Sequence, residues 1–134
     1  MIIDHQELYD LRKIGKRLQG HPSILHTPWA ETSTGSLGVG CSVGVGMALG
    51  LKKVNSPARV IVAIGEGDLN EGVTVEAARI AAHYQLDNLC FILDYNGKMS
   101  DENSKIMVSP RREFDAFNWV TRTVNGHNFD QLRW

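Results

Sequence analysis

The chain has 134 residues, enough for one domain with a hydrophobic core, and its 43% hydrophobic and 22% charged content is that of a globular protein. Fourteen Lys and Arg against fifteen Asp and Glu leave a net charge of −1 with no basic stretch. That argues against nucleic acid as the main partner, because neutralising phosphates takes clustered positive charge. The cysteines, Cys41 and Cys90, lie in apolar runs without a CxxC spacing, so buried, reduced thiols in a reducing, cytoplasmic compartment are expected. The least polar window, residues 37–51, is too short to span a bilayer, and the opening residues lack the basic and apolar regions of a leader.

Residues 4–18 read as a helix, with Leu8, Leu11, Ile14 and Leu18 at helical spacing, Asp4 as N-cap and Gly20 as the stop. Pro22 and Pro28 make 21–35 an extended loop. Residues 36–53 are predicted helical despite their glycines, each of which costs about 1 kcal/mol relative to Ala in a helix interior. Close approach of a neighbouring backbone offsets that cost. The run VIVAI, between Pro57 and Gly65, reads as a buried parallel strand, and 89–93 as a second. Between them, 71–84 is an amphipathic helix with Val73, Ala77, Ile80 and Tyr84 on its apolar face. A polar loop over 95–110, a short helix over 111–117, a third strand over 120–124 and the first turn of another helix at 131–134 complete the chain. This order predicts an α/β fold, a parallel sheet with flanking helices, forming one domain that is part of a larger unit.

The segment Gly65-Glu66-Gly67-Asp68-Leu69-Asn70-Glu71-Gly72 leaves a strand and opens a helix, where open α/β sheets place their ligands. Gly65 and Gly67 allow a sharp turn beside an anion, and the helix start offers free N–H groups. Glu66 points a carboxylate at the same spot, and a carboxylate tolerates a phosphate only through a bridging cation such as Mg²⁺. Asn96, past the next strand, can supply an amide oxygen, and Lys98 a backbone carbonyl. The plainer alternative is a tight strand–helix turn beside an ordinary Asn-Gly turn pair. Spacing alone leaves both open. A nicotinamide-binding fingerprint is disfavoured, because the third glycine falls at Gly72 instead of at the GxGxxG position.

GEGDLNEG, then VEAARIAAHYQLDNL and DYNG, closely resembles the thiamine-diphosphate motif that runs from GDG to a later Asn, in its transketolase version. Upstream, GHPSILHTPWAETSTGSLGVGCSVGVGMALG resembles the GHPE, TTGPLGQG and GMA stretches of that family. Downstream, DAFNW and NGHNFDQL resemble its AFGW and GHD segments. The resemblance covers roughly residues 11–132 in order and implies a diphosphate-side thiamine-diphosphate-binding domain. It implies Glu66, Asn96 and the Lys98 carbonyl as ligands of Mg²⁺ or Ca²⁺. Gly65 and Gly67 would serve the diphosphate, and Gly35 and Leu37 the cofactor rings. His21 would contact substrate, and Glu71 and Glu76 would link paired active sites across a subunit interface.

The activity implied is transfer of a two-carbon ketol unit between sugar phosphates, in a homo-oligomer or a complex with a C-terminal transketolase subunit. The glutamate that activates the cofactor belongs to another domain in this family, so the chain is expected to be inactive without that domain or a partner. Several positions depart from the pattern: Glu66 stands for Asp, Asp68 for Glu, Ser36 for Pro and Val39 for Gln. They motivate an alternative, a degenerate or truncated transketolase-like chain with a structural or partner role.

Overall fold

The computed structural model describes residues 3–99 and 109–133. Two parallel strands, β1 (Val60–Gly65) and β2 (Leu89–Asp94), pair in register from Val60 against Leu89 to Gly65 against Asp94. Helices α2 (Val39–Lys53) and α4 (Gly72–His83) pack on one another, and α2 also lies on β1. The turn α3 (Glu66–Leu69) joins β1 to α4, and α5 (Pro110–Ala116) follows the polar loop. Short helices α1 (His5–Leu8) and α6 (Phe129–Leu132) lie near the two ends. Most of the predicted 95–110 loop, residues 100–108, lies outside the described residues.

The core is built from small side chains. Cys41, Val45 and Ala48 of α2 meet Ala77 and Ala81 of α4, with Ile64, Leu69, Leu86 and Leu89 closing the cluster. Burial of the Cys41 thiol raises its pKa, and Thr74 Oγ1 lies 3.8 Å from its sulfur. On α4 the buried stripe is Thr74, Ala77, Ala78 and Ala81, whereas Ile80 and Tyr84 are about half exposed. The buried face is therefore rotated from the predicted one. Small residues win the inward positions because they let two helices and a strand approach closely.

Gly44 is the clearest case. A Cβ there would stand 2.3 Å from Val62 Cγ2, whereas at Gly46 and Gly50 it would meet nothing within 4 Å. The glycines of α2 thus serve close packing at one position, not throughout. Gly44→Ala should destabilise by about 1 kcal/mol net, because overpacking against a stiff β-branched side chain outweighs the better propensity. Gly46→Ala should stabilise by up to about 1 kcal/mol. Urea melts of the two variants should move in opposite directions.

Four further expectations are corrected. The predicted 4–18 helix is only His5–Leu8, although Asp4 caps it by accepting from Gln6 N–H at 3.0 Å. Arg12 (φ 64°) and Gly15 (φ 77°) are left-handed, and Ile14 is fully exposed. An amphipathic run with no surface to pack on does not repay helix nucleation. Instead Arg17 pairs with Glu7 and lies 4.4 Å over the Trp29 ring.

The strands are buried on one face only. Val62, Ile64, Phe91 and Leu93 face the helices, while Ile61 and Ile92 are 65% and 53% exposed and Cys90 is half-buried rather than buried. Among the described residues nothing covers that second face.

Residues 120–124 form no strand and pair with neither β1 nor β2, and Val120 is fully exposed. A strand requires a neighbour to take up its backbone groups. What holds this end is an aromatic cluster: the Trp119 ring is 4.9 Å from Phe91 and 5.4 Å from Phe114, and its Nε1–H donates to Ala78 carbonyl at 3.0 Å. The last helix spans Phe129–Leu132, starting two residues before the predicted 131–134 turn, because Asn128 caps it through Asp130 and Gln131 N–H.

Candidate functional site

At the carboxyl end of β1 the chain enters α3, and Glu66 is its first residue. Its side chain is buried, the residue being 5% exposed, and Oε2 accepts from the backbone N–H of Asn96 at 3.1 Å and of Lys98 at 2.9 Å. Asn96 follows the end of β2. Its Oδ1 accepts from the same Lys98 N–H at 2.8 Å, while its Nδ2 donates to Asp94 at 3.1 Å. A buried carboxylate oxygen and an amide oxygen therefore converge on one point. Gly97, at φ 75°, makes the turn that brings Lys98 there.

The loop before α2 lies against this strand end. A Cβ on Gly67 would be 3.3 Å from Leu37 Cδ1, so the Leu37 side chain rests on Gly67. A Cβ on Gly35 would be 3.0 Å from His21 Nδ1, so His21 lies beside Gly35. The fold thus gathers Gly65, Glu66, Gly67, Asn96 and Lys98 on one side, with Leu37 against them and His21 against Gly35. Glu71 is the N-cap residue of α4 and half-buried, its Cβ 2.9 Å from where a Cβ on Gly38 would sit. Glu76 is exposed further along α4, and its side chain makes no hydrogen bond among the described residues.

Sequence reasoning noted Asp68 only as a departure from the family pattern and gave neither it nor Gly38 a role in the site. Asp68 Oδ2 accepts from Gly65 N–H and Oδ1 from Gly38 N–H, each at 2.7 Å. Its carbonyl accepts from Thr74 Oγ1 at 2.6 Å. The bond from Gly65 N–H is the return half of a capping box, but Gly65 has no side chain for the other half, so the usual sequence signal is missing. The second bond, across thirty residues, carries no sequence signal either.

Glu66 Oε2 and Asn96 Oδ1 are oxygens of the kind a hard divalent cation takes, and both accept from the Lys98 N–H. Carboxylate, amide and carbonyl oxygens are the ligands such ions take, and Mg²⁺ fills its remaining positions from phosphate and water. Among the described residues no cluster of three or more His, Cys, Asp or Glu could hold a metal. Among the described residues no helix is long and apolar enough to cross a membrane.

Open α/β sheets bind ligands outside the carboxyl ends of their strands, which is where Glu66 and Asn96 lie. The family model described as transketolase, thiamine diphosphate binding domain, matches residues 2–133. An apulose-4-phosphate transketolase subunit of Phocaeicola vulgatus is 38% identical over 125 residues, covering 91% of this chain and 44% of the relative. Transketolase of Homo sapiens is 36% identical over 130 residues, covering 94% of this chain and 21% of its own length. The crystal structure of transketolase from Campylobacter jejuni superposes with a TM-score of 0.84 at 28% identity, covering 95% of this chain and 21% of that one. The chain belongs to the transketolase family, in its thiamine-diphosphate-binding domain. It spans a little under half the length of the Phocaeicola relative and about a fifth of the human one.

Proposed function

We propose that this chain forms the diphosphate side of a transketolase-like site, binding thiamine diphosphate through Mg²⁺ or Ca²⁺ for transfer of a two-carbon ketol unit between sugar phosphates. The observation that supports the reading is that Glu66, which is buried, and Asn96, at the ends of β1 and β2, each turn a side-chain oxygen to the same place, the Lys98 N–H. Glu66, Asn96 and the Lys98 carbonyl would hold the cation. Gly65 and Gly67 would serve the diphosphate, Gly67 through its backbone N–H, and Gly35 and Leu37 would meet the cofactor rings. When bound, the cofactor supplies the reactive carbon that takes up and returns the two-carbon unit. His21, beside Gly35, orients the substrate, and Glu71 and Glu76 face a paired site.

That pairing is part of the proposal. The relative from Phocaeicola vulgatus is named as one subunit of its enzyme, which supports a complex with a C-terminal transketolase chain or a homo-oligomer. The exposed Val39, Met47, Ile80 and Tyr84 on α2 and α4 offer apolar area for it. Two free cysteines support a reducing, cytoplasmic setting.

A second reading, a partner or structural chain that does no chemistry, is favoured by one observation: the Lys98 N–H already fills the point where the oxygens converge. Calorimetric titration of thiamine diphosphate separates the two. Binding with Mg²⁺ or Ca²⁺ that vanishes with chelator is expected, together with ketol transfer that appears only when a C-terminal transketolase subunit is added. No binding with either cation would select the structural reading.

A further inference from the structure

We infer that Asp68 is a positioning residue that ties the ring-contacting segment Gly35–Leu37 to the diphosphate turn, so that the two parts of the cofactor site are set by one carboxylate. The inference rests on the thiamine-diphosphate reading above. Oδ1 accepts from Gly38 N–H and Oδ2 from Gly65 N–H, both at 2.7 Å, the short length of charge-assisted bonds. Gly65 ends β1, and Gly38 directly follows Leu37 and caps α2.

The same residue is held from the other side, because Thr74 Oγ1, on the buried face of α4, donates to its carbonyl at 2.6 Å, and Glu71 N–H donates to that carbonyl at 3.2 Å. Asp68 therefore joins α2, β1 and α4 at one place. Leu37 rests on Gly67, one residue before Asp68, so the bond to Gly38 governs how far Leu37 stands from the turn. Both oxygens of the side chain are taken up by backbone N–H groups, of Gly38 and Gly65. Its effect passes through two backbone N–H groups.

Asp68→Asn and Asp68→Glu test this. An Asn carboxamide has one acceptor and one N–H₂ group, so it must oppose a donor to either Gly38 or Gly65 and lose that bond. Glu keeps two acceptors. In Asp68→Asn, amide hydrogen exchange at Gly38 or Gly65 should speed up about tenfold or more, with the middle of α4 still protected. Affinity for thiamine diphosphate with Mg²⁺ should fall by about tenfold, the loss of roughly one charged hydrogen bond. In Asp68→Glu, both readouts should stay within about threefold of the wild type.

Unchanged exchange at both glycines in Asp68→Asn would overturn the inference whether or not the cofactor binds. Faster exchange with unaltered cofactor affinity would overturn the link to the site, as would Asp68→Glu behaving like Asp68→Asn. If the wild type binds no thiamine diphosphate while the exchange arm behaves as expected, the functional reading fails, and with it the positioning role. The tie between α2 and β1 would then be structural only.

Discussion

Gly38→Ala should unfold this protein more readily than any other single added methyl group in the site, lowering stability by about 2–5 kcal/mol. Two independent costs add. Gly38 has φ 76°, and an L-residue there pays about 1–2 kcal/mol for the contact between Cβ and carbonyl. A Cβ would also stand 2.6 Å from Val73 Cγ1, 2.8 Å from Thr74 Oγ1 and 2.9 Å from Glu71 Cβ, all in the first turn of α4 or its cap. Overpacking of that kind costs about 1–3 kcal/mol more.

Gly15 provides the control. It too has positive φ, at 77°, but a Cβ there meets nothing within 4 Å, so Gly15→Ala should lose only the conformational part. Thermal melts should show Gly38→Ala falling by about 10 °C or more and Gly15→Ala by a few degrees. Equal shifts would mean that the α2 start is not pressed against α4.

Glu66→Gln should leave the fold intact and weaken Mg²⁺-dependent thiamine diphosphate binding by roughly 100-fold or more, the upper end of what disturbing a metal site costs. The neutral side chain keeps one oxygen that can still accept from Asn96 and Lys98 N–H, so the 96–98 turn should hold. What disappears is the carboxylate charge that would hold a cation bridging Glu66 to the diphosphate.

Glu66→Asp asks where the acid must reach. In this chain the longer side chain is used, since its Oε2 spans to two backbone N–H groups beyond the end of β2. An Asp one methylene shorter would release that turn, and Asn96 Oδ1 with it, so binding should loosen by about tenfold although the charge is kept. Calorimetry with and without chelator measures both variants. Equal affinity in the wild type, Glu66→Gln and Glu66→Asp would show that Glu66 touches no metal.

Much of this protein was readable from local patterns. VIVAI and LCFIL pair as parallel strands, α2 and α4 form where expected, and GEGD makes the strand–helix turn at the sheet's carboxyl end. Each depends on short-range chemistry: β-branched runs, helical spacing, and glycines at a turn. Order along the chain also brought Glu66 and Asn96 together, because adjacent parallel strands end side by side.

Only the tertiary structure decided the rest. The 4–18 segment has the spacing of a helix but no surface to pack against, so Ile14 stays in solvent and one turn forms. Valines at 120 and 124 favour a strand, yet no described neighbour accepts their backbone groups. The buried face of α4 is Ala77, Ala78 and Ala81, not Ile80 and Tyr84, because closeness to α2 rewards small side chains over large ones. The bond from Asp68 to Gly38 spans thirty residues and carries no periodic or spacing signal. Periodicity states which groups could be buried or bonded; only a partner arriving from elsewhere in the chain determines which of them are.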